Sequence, residues 1–163
     1  MVNPCHVLFI CTHSSARSIM PEAVMNQLGA GRFAAHSAGS HPRGEVHPLA
    51  LEVLQVNGFA ISGLHSKSWD AFAAPDAPKM DFVFTLCDRA AGEACPHWPD
   101  QPVTAHWGYP DPSVAGGDLA AQRTALPRTL LAIMDQLRLF MSLPFHKLDR
   151  MSLRARVREL GQR

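Results

Sequence analysis

Val7-Leu8-Phe9-Ile10-Cys11-Thr12-His13-Ser14-Ser15-Ala16-Arg17-Ser18 passes from an unbroken apolar run through a short polar loop into a helical pattern. A run without polar alternation reads as a strand buried on both faces, central and parallel in its sheet. It ends at Cys11, and five residues separate Cys11 from Arg17, where a helix opens. In a strand-to-helix turn of this kind the backbone N–H groups converge on one point. At a helix N-terminus such a nest favours a tetrahedral oxyanion. The same positive field favours the thiolate of a cysteine at its centre. Arg17 adds a planar two-pronged donor for the same anion. Thr12, His13, Ser14, Ser15, Ala16 and Arg17 are therefore expected to hold an oxyanion, and Cys11 to attack it. Ser18 is expected to donate its hydroxyl to the sulfur, to cap the helix, or to do both.

Outward from this stretch, strand and helix patterns alternate. Ser18–Leu28 is a helical stripe stopped by Gly29, with Pro21 tolerable in its first turn. Arg32–His36 reads as a short strand closed by Ser37-Ala38-Gly39, and His47–Asn57 as a helix ended by Gly58. A short helix is expected near Trp69–Ala73. Met80–Leu86 is an apolar strand ending at Cys87, and Val103–His106 a weak fourth strand. Ala120–Phe140 is a long helix with Pro127 near its start or at a kink. Leu143-Pro144 breaks it, and Ser152–Leu160 forms a last basic helix. This alternation predicts an α/β domain with a parallel sheet. Residues 1–163 are expected to form one domain, with 143–163 as a helical C-terminal extension.

The composition fits that expectation and narrows the chemistry. The chain has 163 residues, 47% apolar and 18% charged, which suits a soluble globular protein. A net charge of +1 predicts no bulk attraction to nucleic acid or to anionic membranes. No stretch approaches the roughly 20 apolar residues of a membrane span, and no signal peptide pattern opens the chain. The cytoplasm is the expected compartment, where Cys5, Cys11, Cys87 and Cys95 would remain thiols. No CxxC pair and no zinc-finger histidine spacing occurs, so no metal is expected. Cys5 reads as a small buried apolar residue.

Three further positions carry chemistry. Asp111, between Pro110 and Pro112, sits in a stiff loop suited to a general acid standing over the nucleophile. Cys87 ends a central strand at the carboxyl edge, where α/β sheets bind their ligands, and so faces the crevice of Cys11. Cys95 follows it. If residues 88–94 were helical, the two Cα atoms would lie about 12 Å apart, too far for a disulfide without unwinding near Gly92. His13 reads as a solvent-facing loop residue that adds positive charge when protonated. Arg150, Arg154, Arg156, Arg158 and Arg163 alternate with Met151, Leu153, Val157 and Leu160. That pattern predicts an apolar stripe packed on the body or on a second subunit.

Taken in order, Cys11-Thr12-His13-Ser14-Ser15-Ala16-Arg17-Ser18, Ser37-Ala38-Gly39, Cys87…Cys95-Pro96 and His106-Trp107-Gly108-Tyr109-Pro110-Asp111-Pro112 resemble the thioredoxin-coupled arsenate reductases. These are built on the low-molecular-weight tyrosine phosphatase fold. The resemblance runs from about Val7 to about Phe140. It implies a three-layer α/β/α fold on a four-stranded parallel sheet, and arsenate reduction to arsenite in arsenic detoxification. It also implies the roles: Cys11 attacks arsenate, Asp111 protonates the departing oxygen, Cys87 attacks Cys11, and Cys95 carries the disulfide outward. No tightly bound cofactor is implied. The reductant would be an external thiol, thioredoxin or glutathione with glutaredoxin, and the protein a monomer or weak homodimer. Two departures stand out. Relatives commonly carry Asn at the position of Ser14, where it braces the loop, and Cys87 and Cys95 are spaced one residue wider than in well-known thioredoxin-linked members. The wider spacing leaves open whether Cys95 or an external thiol resolves the intermediate. The rival activity is a low-molecular-weight tyrosine phosphatase working through a phosphocysteine with Cys11, Arg17 and Asp111 alone. Against it, such phosphatases usually carry a second loop cysteine where this chain has Ala16, and aromatic residues near Ser113. Residual phosphatase activity is compatible with the same cradle.

Overall fold

A computed structural model describes residues 4–12, 14, 16–74, 76–86, 102–108 and 119–161. Strand β1, Cys5–Cys11, is the centre of the sheet. It pairs in parallel with β2, Phe33–Gly39, in the register Cys5↔Phe33 through Cys11↔Gly39. On its other side it pairs in parallel with β3, Phe82–Thr85, from Val7↔Phe82 to Ile10↔Thr85. β4, Val103–His106, pairs in parallel with β3 at the edge, giving the order β2-β1-β3-β4. Because all four strands point the same way, Cys11, Gly39, Leu86 and Trp107 collect at one edge of the sheet. That edge is where a parallel α/β sheet builds its site.

The unbroken apolar run of β1 has a simple cause. Alternate residues enter two different cores. Val7 and Phe9 join one cluster with Phe33, Phe84, Leu130, Ile133 and Phe140, while Leu8 and Ile10 join another with Ala38, Trp69, Phe72 and Val83. The first is covered by helices α1 (Ile19–Leu28), α2 (Pro48–Val56) and α4 (Leu119–Met141), the second by the short α3 (Asp70–Ala73). This is the expected three-layer α/β/α arrangement on a four-stranded parallel sheet.

Several boundaries differ from the sequence reading, each for a local reason. β2 does not close at His36 but runs on through Ser37, Ala38 and Gly39, because β1 offers a ladder partner as far as Cys11. Pro127 lies inside α4 rather than near its start, and the helix continues past it with Leu126, Leu130, Ile133, Leu137 and Phe140 buried in one stripe. At α2, Pro48 occupies the first turn, and the His47 ring accepts a hydrogen bond from the Leu49 N–H. The last helix, α5, begins earlier than expected and spans Arg150–Leu160. Its cap is Asp149, whose carboxylate accepts from the Ser152 N–H at 2.7 Å, and those hydrogen bonds hold the acid below its usual range. Val157 and Leu160 are buried against the body as expected. Met151 is not: it is 81% exposed, so the packed stripe is shorter than the sequence suggested. It lies in the first turn, before the helix closes on the sheet.

On the α3 face, the His6 and His36 rings stack at 5.3 Å with Nδ1 and Nε2 3.0 Å apart. Burial, then His6 and Lys67, push the His36 pKa down to about 4, so that ring is neutral at neutral pH.

Candidate functional site

Cys11 is the last residue of β1 and is 3% exposed. Its side chain meets one polar atom of the following helix: Sγ lies 3.2 Å from Ser18 Oγ. Ser18 occupies the N-cap position of α1 yet makes no side-chain cap bond. The hydrogen bond runs from the Cys11 thiol to Ser18 Oγ, so the serine hydroxyl faces the sulfur and not the helix end. The chain between them is a compact turn with Thr12, Ser14, Ala16 and Ser18 buried and Arg17 half-buried. Helical hydrogen bonding starts at once, from the Met20 N–H to Ala16 O at 3.0 Å. Cys11, Thr12, Ser14, Ala16, Arg17 and Ser18 are thus gathered in one strand-to-helix turn, the geometry that presents N–H groups to an anion.

Ser14 has φ 48°, in the left-handed region, a conformation that costs a non-glycine residue roughly 1–2 kcal/mol. Its surroundings hold it there. Ser14 Oγ accepts a hydrogen bond from the Lys67 N–H at 3.3 Å. Gly39 lies against the loop so closely that a Cβ at that position would be 2.6 Å from Thr12 O and 2.7 Å from Ser14 N. The Thr12 carbonyl is turned outward to the His41 N–H at 2.8 Å. Gly39 is itself tied to the neighbouring segment: its N–H donates to Lys67 O, and its carbonyl accepts from the Trp69 N–H. The turn after Cys11 therefore rests on β2 and on residues 67–69.

Behind the loop lies a charged cluster that sequence reasoning missed. Glu22, in the first turn of α1, is buried, and its carboxylate accepts from Ser37 Oγ at 2.6 Å. Lys67 Nζ stands 3.6 Å from the same carboxylate oxygen, 3.4 Å from Ser37 Oγ and 2.9 Å from His65 O. One signal was available. Glu22 is the single charged residue in the decapeptide Ile19–Leu28, and a lone carboxylate in an apolar helix is buried only with a partner. Nothing local marked Lys67. Lys67→Met keeps the backbone contacts to Ser14 and Gly39 but removes the ammonium from a buried carboxylate. It is expected to lower stability by about 1–3 kcal/mol and to weaken binding of a tetrahedral oxyanion at the expected site about tenfold, as an unbalanced negative charge nearby does. Thermal melts and titration with inorganic phosphate check this; wild-type values in both would remove the cluster from the support of the loop.

His13, Ser15, Cys87, Cys95 and Asp111 lie outside the described residues. Their immediate neighbours do not. Leu86, buried, donates its N–H to Ile10 O at 2.8 Å, which brings the chain beside the end of β1 one residue before Cys87. Trp107 N–H donates to Thr85 O at 2.7 Å, four residues before Asp111. Cys5 is at the opposite end of β1. Burial, then the Asp81 carboxylate, push its thiol up to about 12. Among the described residues no three His, Cys, Asp or Glu side chains converge as metal ligands would.

Comparison with known proteins accords with this geometry. The pattern of one family, low molecular weight phosphotyrosine protein phosphatase, matches residues 6–142. A glutaredoxin arsenate reductase of Synechocystis is 35% identical over 118 residues, 72% of this chain and 85% of that protein. An arsenate reductase of Bacillus subtilis is 34% identical over 111 residues, 68% of this chain and 76% of that one. Among solved structures, an arsenate reductase in a phosphate-binding state superposes with TM-score 0.63 at 31% identity, over 82% of this chain and 97% of that one. A thioredoxin-dependent arsenate reductase of Corynebacterium glutamicum superposes with TM-score 0.58 at 26% identity. That match covers 85% of this chain but 63% of that one, so the chain spans less than two thirds of its length.

Proposed function

From the premise that this chain belongs to the low molecular weight phosphotyrosine protein phosphatase family, we infer that it is an enzyme that reduces arsenate to arsenite with electrons from an external thiol. The observation that carries this reading is the buried Cys11 at the mouth of the anion turn, with Ser18 Oγ 3.2 Å from its sulfur. The arsenate reductases among its relatives favour reduction over phosphomonoester hydrolysis.

The proposed chemistry is a thiol relay. Arsenate binds to the loop amides and Arg17, and the Cys11 thiolate attacks arsenic as Ser18 donates to the sulfur. Asp111 protonates the departing oxygen, which leaves as water. Cys87 thiolate then attacks Cys11 sulfur. A Cys11–Cys87 disulfide forms, the sulfur–arsenic bond breaks, and its electron pair goes to arsenic, which leaves as arsenite. Cys95 thiolate attacks Cys87, freeing Cys11 and leaving a Cys87–Cys95 disulfide for thioredoxin, or for glutathione with glutaredoxin, to reduce. Leu86, hydrogen-bonded to Ile10, supports the Cys87 step because it brings the chain to the end of β1. We also read residues 1–163 as one domain, monomeric or weakly dimeric, working in the cytoplasm. No helix among the described residues is long and apolar enough to cross a membrane.

Arsenite release, measured with each reductant in Cys87→Ser and Cys95→Ser variants, tests the relay. Both losses are expected to approach the uncatalysed rate, since each breaks the chain of exchange. Full turnover in Cys87→Ser would sink the relay. Loss in Cys87→Ser with retention in Cys95→Ser would assign the resolving step to an external thiol.

A further inference from the structure

The four strands begin around a groove that the chemistry at their other end does not use. Cys5, Phe33, Phe82 and Val103, the first residues of β1, β2, β3 and β4, all line it. Cys11 closes β1 at the opposite edge, about 20 Å along the strand. The family match stops at residue 142, and one wall of the groove comes from beyond it. Phe145 supplies part of that wall, and Arg150 and Leu153 of α5 the rest. Body and extension together bound about 830 Å³, the size of a small-molecule site.

The floor is aromatic and fixed. Phe33 and Phe82 are buried, and the half-buried Phe145 meets both edge-on, at 5.7 and 5.9 Å between centroids. Phe140 also meets Phe82 edge-on, at 5.0 Å. Rings locked in this way offer a flat apolar partner a ready surface. The rim is charged, and unequally so. Arg32 is exposed yet placed in advance: Nη2 donates to Met141 O at 2.8 Å, and the guanidinium carbon lies 5.3 Å from the Phe33 ring centre. Among the described residues Arg32 has no carboxylate partner, and a guanidinium has five N–H donors to give. Arg150, also exposed, adds a second guanidinium. Asp81 is the one acid described on the lining, and its carboxylate already accepts from the His6 N–H at 2.8 Å. Two cations beside one engaged carboxylate favour an anion. The Cys5 thiol, raised to about 12, stays neutral and adds apolar wall.

We propose that this groove binds a small amphipathic anion, with its flat apolar body on Phe33, Phe82 and Phe145 and its carboxylate on Arg32 and Arg150. Because the extension supplies one wall, such a ligand ties α5 to the body and stabilises the folded chain. It does so without entering the turn after Cys11.

The test is calorimetric titration of the full chain with 2-naphthoate, beside the uncharged 2-naphthylmethanol. One naphthoate should bind per chain with a Kd on the order of 100 μM, and the alcohol about tenfold more weakly. Arg32→Gln and Arg150→Gln should each weaken naphthoate about tenfold, the worth of one charge-assisted hydrogen bond. Arg128→Gln, the same loss of charge at an exposed position of α4, should leave the affinity unchanged. Saturating inorganic phosphate should not displace naphthoate. Naphthoate should raise the thermal midpoint, and raise it less in both groove variants. No binding of naphthoate, equal binding of the alcohol, wild-type affinity in either groove variant, or displacement by phosphate overturns the site. Binding only once residues 1–3 are removed, or only in dilute protein, gives the groove to this chain's own residues or to a second copy, and overturns it as well.

Discussion

Cys11→Ser is expected to lose arsenate turnover by about four orders of magnitude or more, the scale on which removal of a nucleophile acts. Serine at this position keeps a polar atom near Ser18 Oγ and fits the buried end of β1, so the fold should survive with a stability change of about 1 kcal/mol or less. The chemistry does not survive. A hydroxyl at neutral pH is not ionised, and a sulfur–arsenic adduct followed by a disulfide needs sulfur at the first position of the relay. Anion binding should persist, because the turn, Arg17 and the helix N-terminus remain. Calorimetric titration with arsenate, beside arsenite release, separates the two effects. Measurable turnover in this variant would remove Cys11 from the reaction, and lost binding would show that the sulfur holds the turn together.

Gly39→Ala is expected to lower both rate and stability strongly, although the residue touches no reacting atom. Gly39 is not in the left-handed region; its requirement is one of space. The new methyl group would sit 2.6 Å from Thr12 O and 2.7 Å from Ser14 N. Both are backbone atoms of the turn after Cys11, and neither can retreat without moving the turn itself. A shift of about 1 Å in a positioning group costs about 100-fold in rate, and overpacking of this kind costs about 1–3 kcal/mol in stability. Gly44→Ala is the matched control. Gly44 has φ +90° with nothing within 4 Å of a Cβ, so the change strains the backbone without reaching the turn. Single-turnover rates and the thermal shift produced by arsenate should fall in Gly39→Ala and hold in Gly44→Ala. Equal behaviour of the two would mean that the contact between β2 and the turn does not support the site.

How much of this was legible in the sequence depended on the range of the forces involved. β1 and β4 were readable because burial pattern and local breakers agree there, and Val103–His106 was bounded correctly despite a weak signal. The end of β2 was misread because Ser37-Ala38-Gly39 is composed of small residues that locally favour a turn. The ladder to β1, which depends on a distant segment, overrides that preference. The sequence alone does not choose between the two duties of Ser18 for a similar reason: a cap position is visible in sequence, whereas a sulfur seven residues earlier at 3.2 Å is a matter of three-dimensional geometry. The strand-to-helix turn after Cys11 was legible because an apolar run, small polar residues and a helical pattern follow one another within one short stretch. Its support was not, since Gly39, Glu22 and Lys67 reach it from β2, α1 and the approach to α3. Position 14 shows both sides. The resemblance marked Ser14 as a departure from Asn, and the structure shows its hydroxyl accepting from the Lys67 backbone, a partner no local pattern reveals.

The proposed relay has a problem with every cysteine it does not use. Each additional thiolate is a wrong address to which an oxidised intermediate can be delivered, and a misdirected bond strands the electrons and stops the cycle. Cys5 is that unused cysteine. Held up to about 12 by burial and by the Asp81 carboxylate, it stays protonated throughout the range in which the protein works. It also lies six residues along the strand from Cys11, about 20 Å away. Burial at the base of the sheet, reinforced by the Asp81 carboxylate, therefore acts as an insulator. By keeping one sulfur chemically mute, it leaves the proposed relay a single route for the current.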